Sequence, residues 1–413
     1  MKVWLITVGE PLPIDANGLR LLRAGMLAAR LVKQGHEVIW WSSAFDHHLK
    51  LLRSPGYQEV AYQAGYQIHL LPGRPYSSNV SWQRIMNHRE IALAFRAHAS
   101  TQPRPDVILA SFPTIELCLE AAEYGLQHQT PVVLDVRDLW PDTFLDLVPQ
   151  RLKPLVRLVL SRMYRETRQA FHKAAHVIGI TEDFVNWGLN KAGRPRSSRD
   201  RAFPLAYKAD GVDPQHFQAE VGRLRGMGVK EGVFRVVFFG TLGRQFDIDT
   251  LIAAARLLRG KPVQFVICGS GDKLEYYKSI TLDAENILLP GWVSGVTIQA
   301  LMQTAQAGIA PYVITQNFVS NVPNKIVEYL SGGLPVITCL TGEVSRLLET
   351  YNCGLVYESG SAEKLAQVIE KLMADESTRK KMAVNARQAF EARFNADHVL
   401  DEMISYLQSL VKV

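Results

Sequence analysis

At 413 residues, 47% apolar and 21% charged, with 29 glycines and 20 prolines, the chain has room for two or three domains, and disorder, collagen-like repeats and low complexity are excluded as its main character. Cys118, Cys268, Cys339 and Cys353 are far apart, which excludes a CxxC redox or zinc pattern and fits a reducing cytoplasm. The net charge of +6 belongs to residues 1–204, with 25 Lys and Arg against 18 Asp and Glu, so that half is expected to meet an anionic partner.

The opening MKVWLITV has one basic residue and an apolar run too short for a secretory leader. No later run approaches the ~18 apolar residues that a membrane span needs. Residues 2–8 read as a strand, 19–34 as a helix ended by Gly35, and 37–42 as the next strand. Further strands are predicted at 67–71, 106–110, 132–136 and 177–180, with helical periodicity between them. After the polar, basic loop RPRSSRDR the pattern restarts. Strands are expected at 235–239, 264–268, 287–289, 307–310 and 335–338, and helices at 249–258, 297–303 and 324–330, followed by helices to the end. This rhythm predicts an α/β chain of two doubly wound, Rossmann-like domains. Ligands of such sheets bind outside the carboxyl ends of the strands, so two domains facing each other create a cleft.

The motifs sit at those strand ends. Asn17-Gly18 precedes a helix whose bare N–H groups attract an anion, although an ordinary loop has the same look. VVLDVRDLWPD puts Asp135, Arg137 and Asp138 after an apolar strand, where three charges must pair or face the cleft. Residues 151–173 carry seven Lys and Arg against Glu166 alone. As one helix starting at Pro154, they place Arg157, Arg162, Arg165, Arg168 and His172 on one face and Val156, Val159, Leu160, Met163, Ala170 and Phe171 on the other. Such a face suits an anionic membrane surface or an acceptor diphosphate. Nucleic acid is disfavoured, because the patch lacks interleaved aromatics and no nucleic-acid-binding signature appears.

In the second half, VVFFGTLGRQFD places Gly240, Gly243 and Arg244 at a strand end, where close backbone approach and a guanidinium suit a diphosphate. FVICGSGD gives Gly269 at another. Neither domain begins with a full GxGxxG followed by an acid, which argues against a dinucleotide oxidoreductase. In NFVSNVPNKIVEYLSGGLPVIT, Lys325 and Glu328 lie one turn apart on a helix. They are either a surface pair or a phosphate contact and a ribose contact.

At these residues the chain resembles the GT-B fold, retaining glycosyltransferases of family 4. GVDPQHF is similar to the family's domain-junction motif, FFGTLGR to its phosphate-binding strand end and PNKIVEYLSGGLPVI to its donor-site helix; NCGLVYESG and RKKMAVNARQAFEARF resemble its C-terminal pattern. The PLPxDxxGxR opening and RDLWPD resemble the fucosamine-transferase branch of bacterial surface polysaccharide synthesis. The resemblance implies an acceptor-binding domain over residues 1–203, a nucleotide-sugar donor-binding domain over 204–395 and a C-terminal helix, 396–413, packing back on the first. It places the Gly18 amide at the donor diphosphate, Arg244 at the phosphates, Glu328 on the ribose, and Ser320, Asn321 and Val322 near the donor sugar. Lys325 is expected to assist Arg244 as charge develops on the leaving diphosphate, with Asp138, held by Arg137, as the alternative acid or base.

The chain departs from the family pattern in three places. Ser320 stands where the family has the first of two glutamates, no lysine follows Arg244 closely, and Arg137 aligns with a common histidine. The implied donor is a nucleotide-diphosphate sugar, most readily UDP-linked, and the acceptor a lipid-linked or other saccharide of O-antigen or capsule synthesis. No cofactor or metal is expected, and the location is cytoplasmic, peripheral on the inner face of the plasma membrane. Two rivals are a sugar-nucleotide 2-epimerase and a non-catalytic nucleotide-sugar-binding subunit, the latter suggested by Ser320.

Overall fold

The computed structural model describes residues 1–15, 20–79, 81–209 and 213–411. The chain divides into two compact units, one of Met1–Ala206 with Ala396–Val413 and one of Tyr207–Asn395.

In the first unit, strands β1 (Lys2–Ile6), β2 (Glu37–Ser43), β3 (Gln58–Gln63), β4 (Tyr66–Leu71), β5 (Val107–Phe112), β6 (Val132–Val136), β7 (His176–Gly179) and β8 (Arg201–Ala202) form one sheet in the order β3-β4-β2-β1-β5-β6-β7-β8. Every pairing is parallel except β3 with β4. Successive strand residues point to opposite faces, and both faces are buried, which explains the near-continuous apolar runs. Trp4 and Ile6 join Ile39 and Trp41 in one core; Val3 and Leu5 join Val38 and Trp40 in the other. That second core is closed by Leu27 and Leu31 of the helix Arg23–Lys33 and by Met403 and Leu407 of the helix Ala396–Leu410. The two helices are also tied by Arg30, which donates to Asp397 at 2.7 Å and to Asp401 at 2.8 Å.

The expected helix over 19–34 is seen as Arg23–Lys33, and Gly18 lies outside the described residues. The single helix expected over 151–173 is two, Lys153–Val159 and Ser161–Lys173, which meet at Leu160. The second packs on the helix Ile115–His128 and buries Glu166, Thr167, Ala170 and Phe171. The first buries no residue. Val159, assigned to the sheltered face by its spacing, is therefore exposed. A helical wheel drawn through the break carries one face onto a segment that has no core beneath it.

The second unit contains β9 (Phe234–Phe239), β10 (Val263–Cys268), β11 (Ile287–Gly291), β12 (Ala307–Ala310), β13 (Val336–Thr338) and β14 (Gly354–Val356), all parallel, in the order β11-β10-β9-β12-β13-β14. In order along the chain this is 3-2-1-4-5-6, the doubly wound nucleotide-binding arrangement. Its strand order reverses between β9 and β12. A crevice for a ligand is expected at the carboxyl ends of those two strands.

Candidate functional site

The second unit places its chemistry at that switch point. β9 ends at Phe239 and runs directly into Gly240, whose N–H donates to Cys268 O at 3.0 Å, while Leu242 N–H donates to Ser270 O at 2.8 Å. The loop after β9 is thereby laced to the loop after β10. Gly269 permits the lacing: at φ +154° it holds a backbone that side chains avoid, and a Cβ there would stand 1.7 Å from Gly240 O. Gly271 repeats the pattern against Leu242 O at 2.6 Å. The result is a tight, glycine-rich double loop with Arg244 at its edge. Arg244 is exposed and makes no hydrogen bond or ion pair among the described residues.

The helix Asn324–Ser331 brings Lys325 and Glu328 to the same strand ends. The alternative of a surface ion pair does not hold, because Lys325 is 8% exposed and its Nζ lies 4.5 Å from the centre of the Phe238 ring and 5.1 Å from that of Phe246. A methyl group on Gly240 would come within 2.8 Å of that Nζ, so the glycine makes room for the ammonium. Burial pushes the Lys325 pKa down to about 8, with the nearby Glu328 carboxylate opposing the shift. Glu328 itself accepts a hydrogen bond from Tyr207 OH at 3.1 Å. Tyr207 escaped the sequence reading because 121 positions separate it from its partner.

Ser320 is buried and accepts a hydrogen bond from Gln316 Nε2 at 3.1 Å. Val322 is buried beside it, and Asn321 Oδ1 is buried without a hydrogen-bond partner among the described residues. This segment is pinned from outside, since a Cβ on Gly342 would lie 2.3 Å from Val319 O. Nothing about Ser320 in this setting supplies the negative charge that a glutamate would bring.

The lysine carries a stability consequence with a definite sign. Its depressed pKa means that the folded state is penalised for holding the ammonium below about pH 8, and the penalty fades as pH rises from there toward the ordinary lysine value of 10.5. Lys325→Met is therefore expected to raise the melting temperature at pH 7, with the gain shrinking above pH 8. Melting curves between pH 7 and pH 10 check this; a variant less stable than wild type at pH 7 would contradict it.

In the first unit, Asp135 lies fully buried one residue before the end of β6 and forms ion pairs with Arg23 at 3.1 Å and Arg137 at 2.9 Å. Arg137 also pairs with Glu10, whose other oxygen accepts Ala24 N–H at 3.0 Å. Arg23 further donates to Phe203 O and Pro204 O. This corrects the expectation that Arg137 holds Asp138. Arg137 is engaged by Asp135 and Glu10 through Nε and Nη1, and Asp138 Oδ1 instead accepts Leu139 N–H at 2.8 Å and Thr143 Oγ1 at 3.1 Å. Burial raises the Asp138 pKa against those hydrogen bonds. The arginines Arg157, Arg162, Arg165 and Arg168 are all exposed, but Arg162 is bound to Glu166 at 2.7 Å.

With this geometry in place, likeness to known proteins becomes informative. Residues 225–389 match the family described as glycosyl transferases group 1. The chain is 24% identical over 245 residues to alpha-D-kanosaminyltransferase of Streptomyces kanamyceticus, covering 57% of this chain and 61% of that protein. It is 22% identical over 261 residues to the putative colanic acid biosynthesis glycosyltransferase WcaL of Salmonella typhimurium, covering 62% and 61% respectively. The chain thus spans less than two thirds of the length of these relatives. Among solved structures, Anabaena HepE in complex with UDP superposes with a TM-score of 0.68 at 14% identity, covering 99% of both chains. Sucrose-phosphate synthase of Thermosynechococcus elongatus gives 0.72 at 15% identity, covering 99% of this chain and 98% of that one. The chain has the two-domain GT-B fold, and within it residues 225–389 match the glycosyl transferases group 1 family.

Proposed function

We propose that the protein is a retaining glycosyltransferase that moves a sugar from a nucleotide-diphosphate sugar to a lipid-linked or saccharide acceptor in bacterial surface polysaccharide synthesis. The observation that carries the reading is the desolvated Lys325 ammonium beside the bare Gly240 loop at the sheet's switch point, with no carboxylate in ion-pair contact among the described residues. A lysine held on aromatic rings is short of a counter-ion, and a diphosphate supplies one. Arg244 and Lys325 stabilise the charge that develops on the leaving diphosphate, and Glu328 orients the ribose through its hydroxyls. UDP is the favoured nucleotide, because HepE, which shares the fold, is seen with UDP and with UDP-glucose. Asp138, poised by burial, is the candidate acid or base toward the acceptor.

The reaction is proposed to run without a metal, with Arg244 and Lys325 offsetting the charge of the leaving group. Chelator is expected to leave the rate unchanged, and a rate restored only by added Mg²⁺ would contradict this. The test of the function is transfer of labelled sugar from UDP-, GDP- and dTDP-sugars to membrane extracts of a polysaccharide-producing bacterium, with the product anomer read by NMR. Label retained in a glycan with the donor's configuration supports it; nucleotide-sugar binding without transfer to any acceptor favours a binding subunit.

The exposed arginines are proposed to hold the protein on an anionic bilayer. No helix among the described residues is long and apolar enough to cross a membrane, so contact of this kind would be peripheral. Changing Arg157, Arg162, Arg165 and Arg168 to Glu is expected to abolish co-sedimentation with vesicles rich in anionic lipid. Unchanged sedimentation would leave these charges as a solubility feature.

A further inference from the structure

The first unit contains a cavity that this mechanism does not use. It measures about 470 Å³ and is walled by Trp82, Ile85, Trp140, Phe144, Leu160 and Met163. That is the size and character of a small-molecule site, typically ~300–1,000 Å³ and mostly apolar. Trp82 in its wall is 64% exposed. The helix Lys153–Val159, which lends Val156 to the lining, also turns Leu155, Leu158 and Val159 outward at 60%, 70% and 74% exposure, an unusual run for a water-facing helix.

The polar lining of the cavity includes a cation without an ion-pair partner. Arg84 lies 4.7 Å from the centre of the Trp140 ring, with its Nε buried and without a hydrogen-bond partner, and it makes no ion pair among the described residues. Its Nη1 donates only to Asn79 O, at 2.8 Å. His88 and Glu116 also line the space. Glu116 lies 3.9 Å from Arg89 and 4.0 Å from His88 and forms no ion pair with Arg84, and burial pushes its pKa up to about 7. No acid occurs between Val148 and Arg165, a stretch that carries Arg151, Lys153, Arg157, Arg162 and Arg165. Apolar walls and a cation with no ion pair together describe a receptor for an amphiphile with an anionic head.

We propose that this cavity binds the apolar chain of a single-chain lipid phosphate, with the phosphate on Arg84, and that this lipid is the carrier of the sugar acceptor. The identification as acceptor carrier rests on the glycosyltransferase reading; the lipid-phosphate site stands on the cavity itself. Arg84 is also one of the charges felt by Asp138, so a phosphate held there brings the acceptor head toward the candidate acid or base.

Calorimetric titration of the full chain with farnesyl phosphate, below its aggregation threshold, tests the site. Farnesyl phosphate is expected to bind at least about tenfold more tightly than farnesol, with inorganic phosphate far weaker than either. Arg84→Gln should erase the preference for farnesyl phosphate over farnesol, and Met163→Phe, which fills the cavity, should weaken both. Replacing Leu155, Leu158 and Val159 together by Ser should reduce vesicle binding yet leave the farnesyl phosphate titration unchanged. Equal affinities for wild type, Arg84→Gln and Met163→Phe would overturn the proposal, as would loss of binding only in the triple Ser variant, which would mark a bilayer contact. Titrating the same proteins with UDP separates the two readings. If farnesyl phosphate binds as described while no nucleotide or nucleotide sugar does, the site stands and the transferase assignment falls.

Discussion

Arg244→Ala is expected to lower kcat by about 10²–10³-fold while leaving the melting temperature close to that of wild type. The two halves of this expectation come from the same observation. Arg244 is exposed and makes no hydrogen bond or ion pair among the described residues, so its removal deletes neither and leaves no buried partner unsatisfied. On the proposed function, a leaving diphosphate gathers charge beside the Gly240 and Gly269 double loop, and a cation there contributes most in the transition state. Substrate KM should move less than kcat, because the proposed donor site shares ground-state binding with Lys325 and Glu328. Steady-state kinetics beside a thermal melt measure both halves. Near-normal turnover would remove Arg244 from the mechanism; a collapsed melt would show that it holds the fold instead.

Asp135→Ala is expected to destabilise the protein by about 3–5 kcal/mol, the range for stranding a buried charge by removing its partner. Arg23 is 3% exposed and Arg137 has a buried Nη2 with no partner already. Without Asp135, Arg23 keeps only two carbonyls and Arg137 only Glu10. The pH dependence follows from the direction of the shift. Burial raises the Asp135 pKa, but the two guanidiniums outweigh it and hold it below the ordinary 3.8. A depressed carboxyl stabilises the fold above its unfolded pKa, and that contribution is lost as pH falls through the folded value. Wild type should therefore lose stability more steeply than the variant below about pH 4, and urea unfolding across pH 3–7 reads this directly. A variant within 1 kcal/mol of wild type at pH 7 would show the network to be dispensable.

These two positions also show how far a sequence can be read. The parallel strands were legible because both faces of each sheet are covered, which writes apolar runs such as VVFFG and FVICG into the chain. β3 was not, since it is an antiparallel edge strand whose residues are mostly exposed and carry no apolar period. β14, three residues long, is too short to leave a signal. The strand-end glycines announced a close backbone approach, although what they approach, each other's loop, is visible only in three dimensions. Lys325 and Glu328 were found by their place on a helix, whereas the burial of Lys325 depends on Phe238 and Phe246, which lie far from it along the chain. The network around Asp135 was half-read. Charge at a buried strand end called for a partner, yet Arg23 and Glu10 lie 112 and 125 positions away, and the adjacent Asp138 was the misleading choice. The break at Leu160 was hidden for a related reason: hydrophobic period shows which residues share a face and does not show whether anything covers it.

Hydrogen exchange on the full chain, with and without UDP, GDP and dTDP, tests the central claim most directly, because it reports where a nucleotide sits as well as whether it binds. The account predicts that one of the three, with UDP expected first, slows exchange in peptides covering 240–244, 269–271 and 324–328 together. Protection confined to other segments, or no protection by any of the three at millimolar concentration, would contradict a donor site at the strand ends of the second unit.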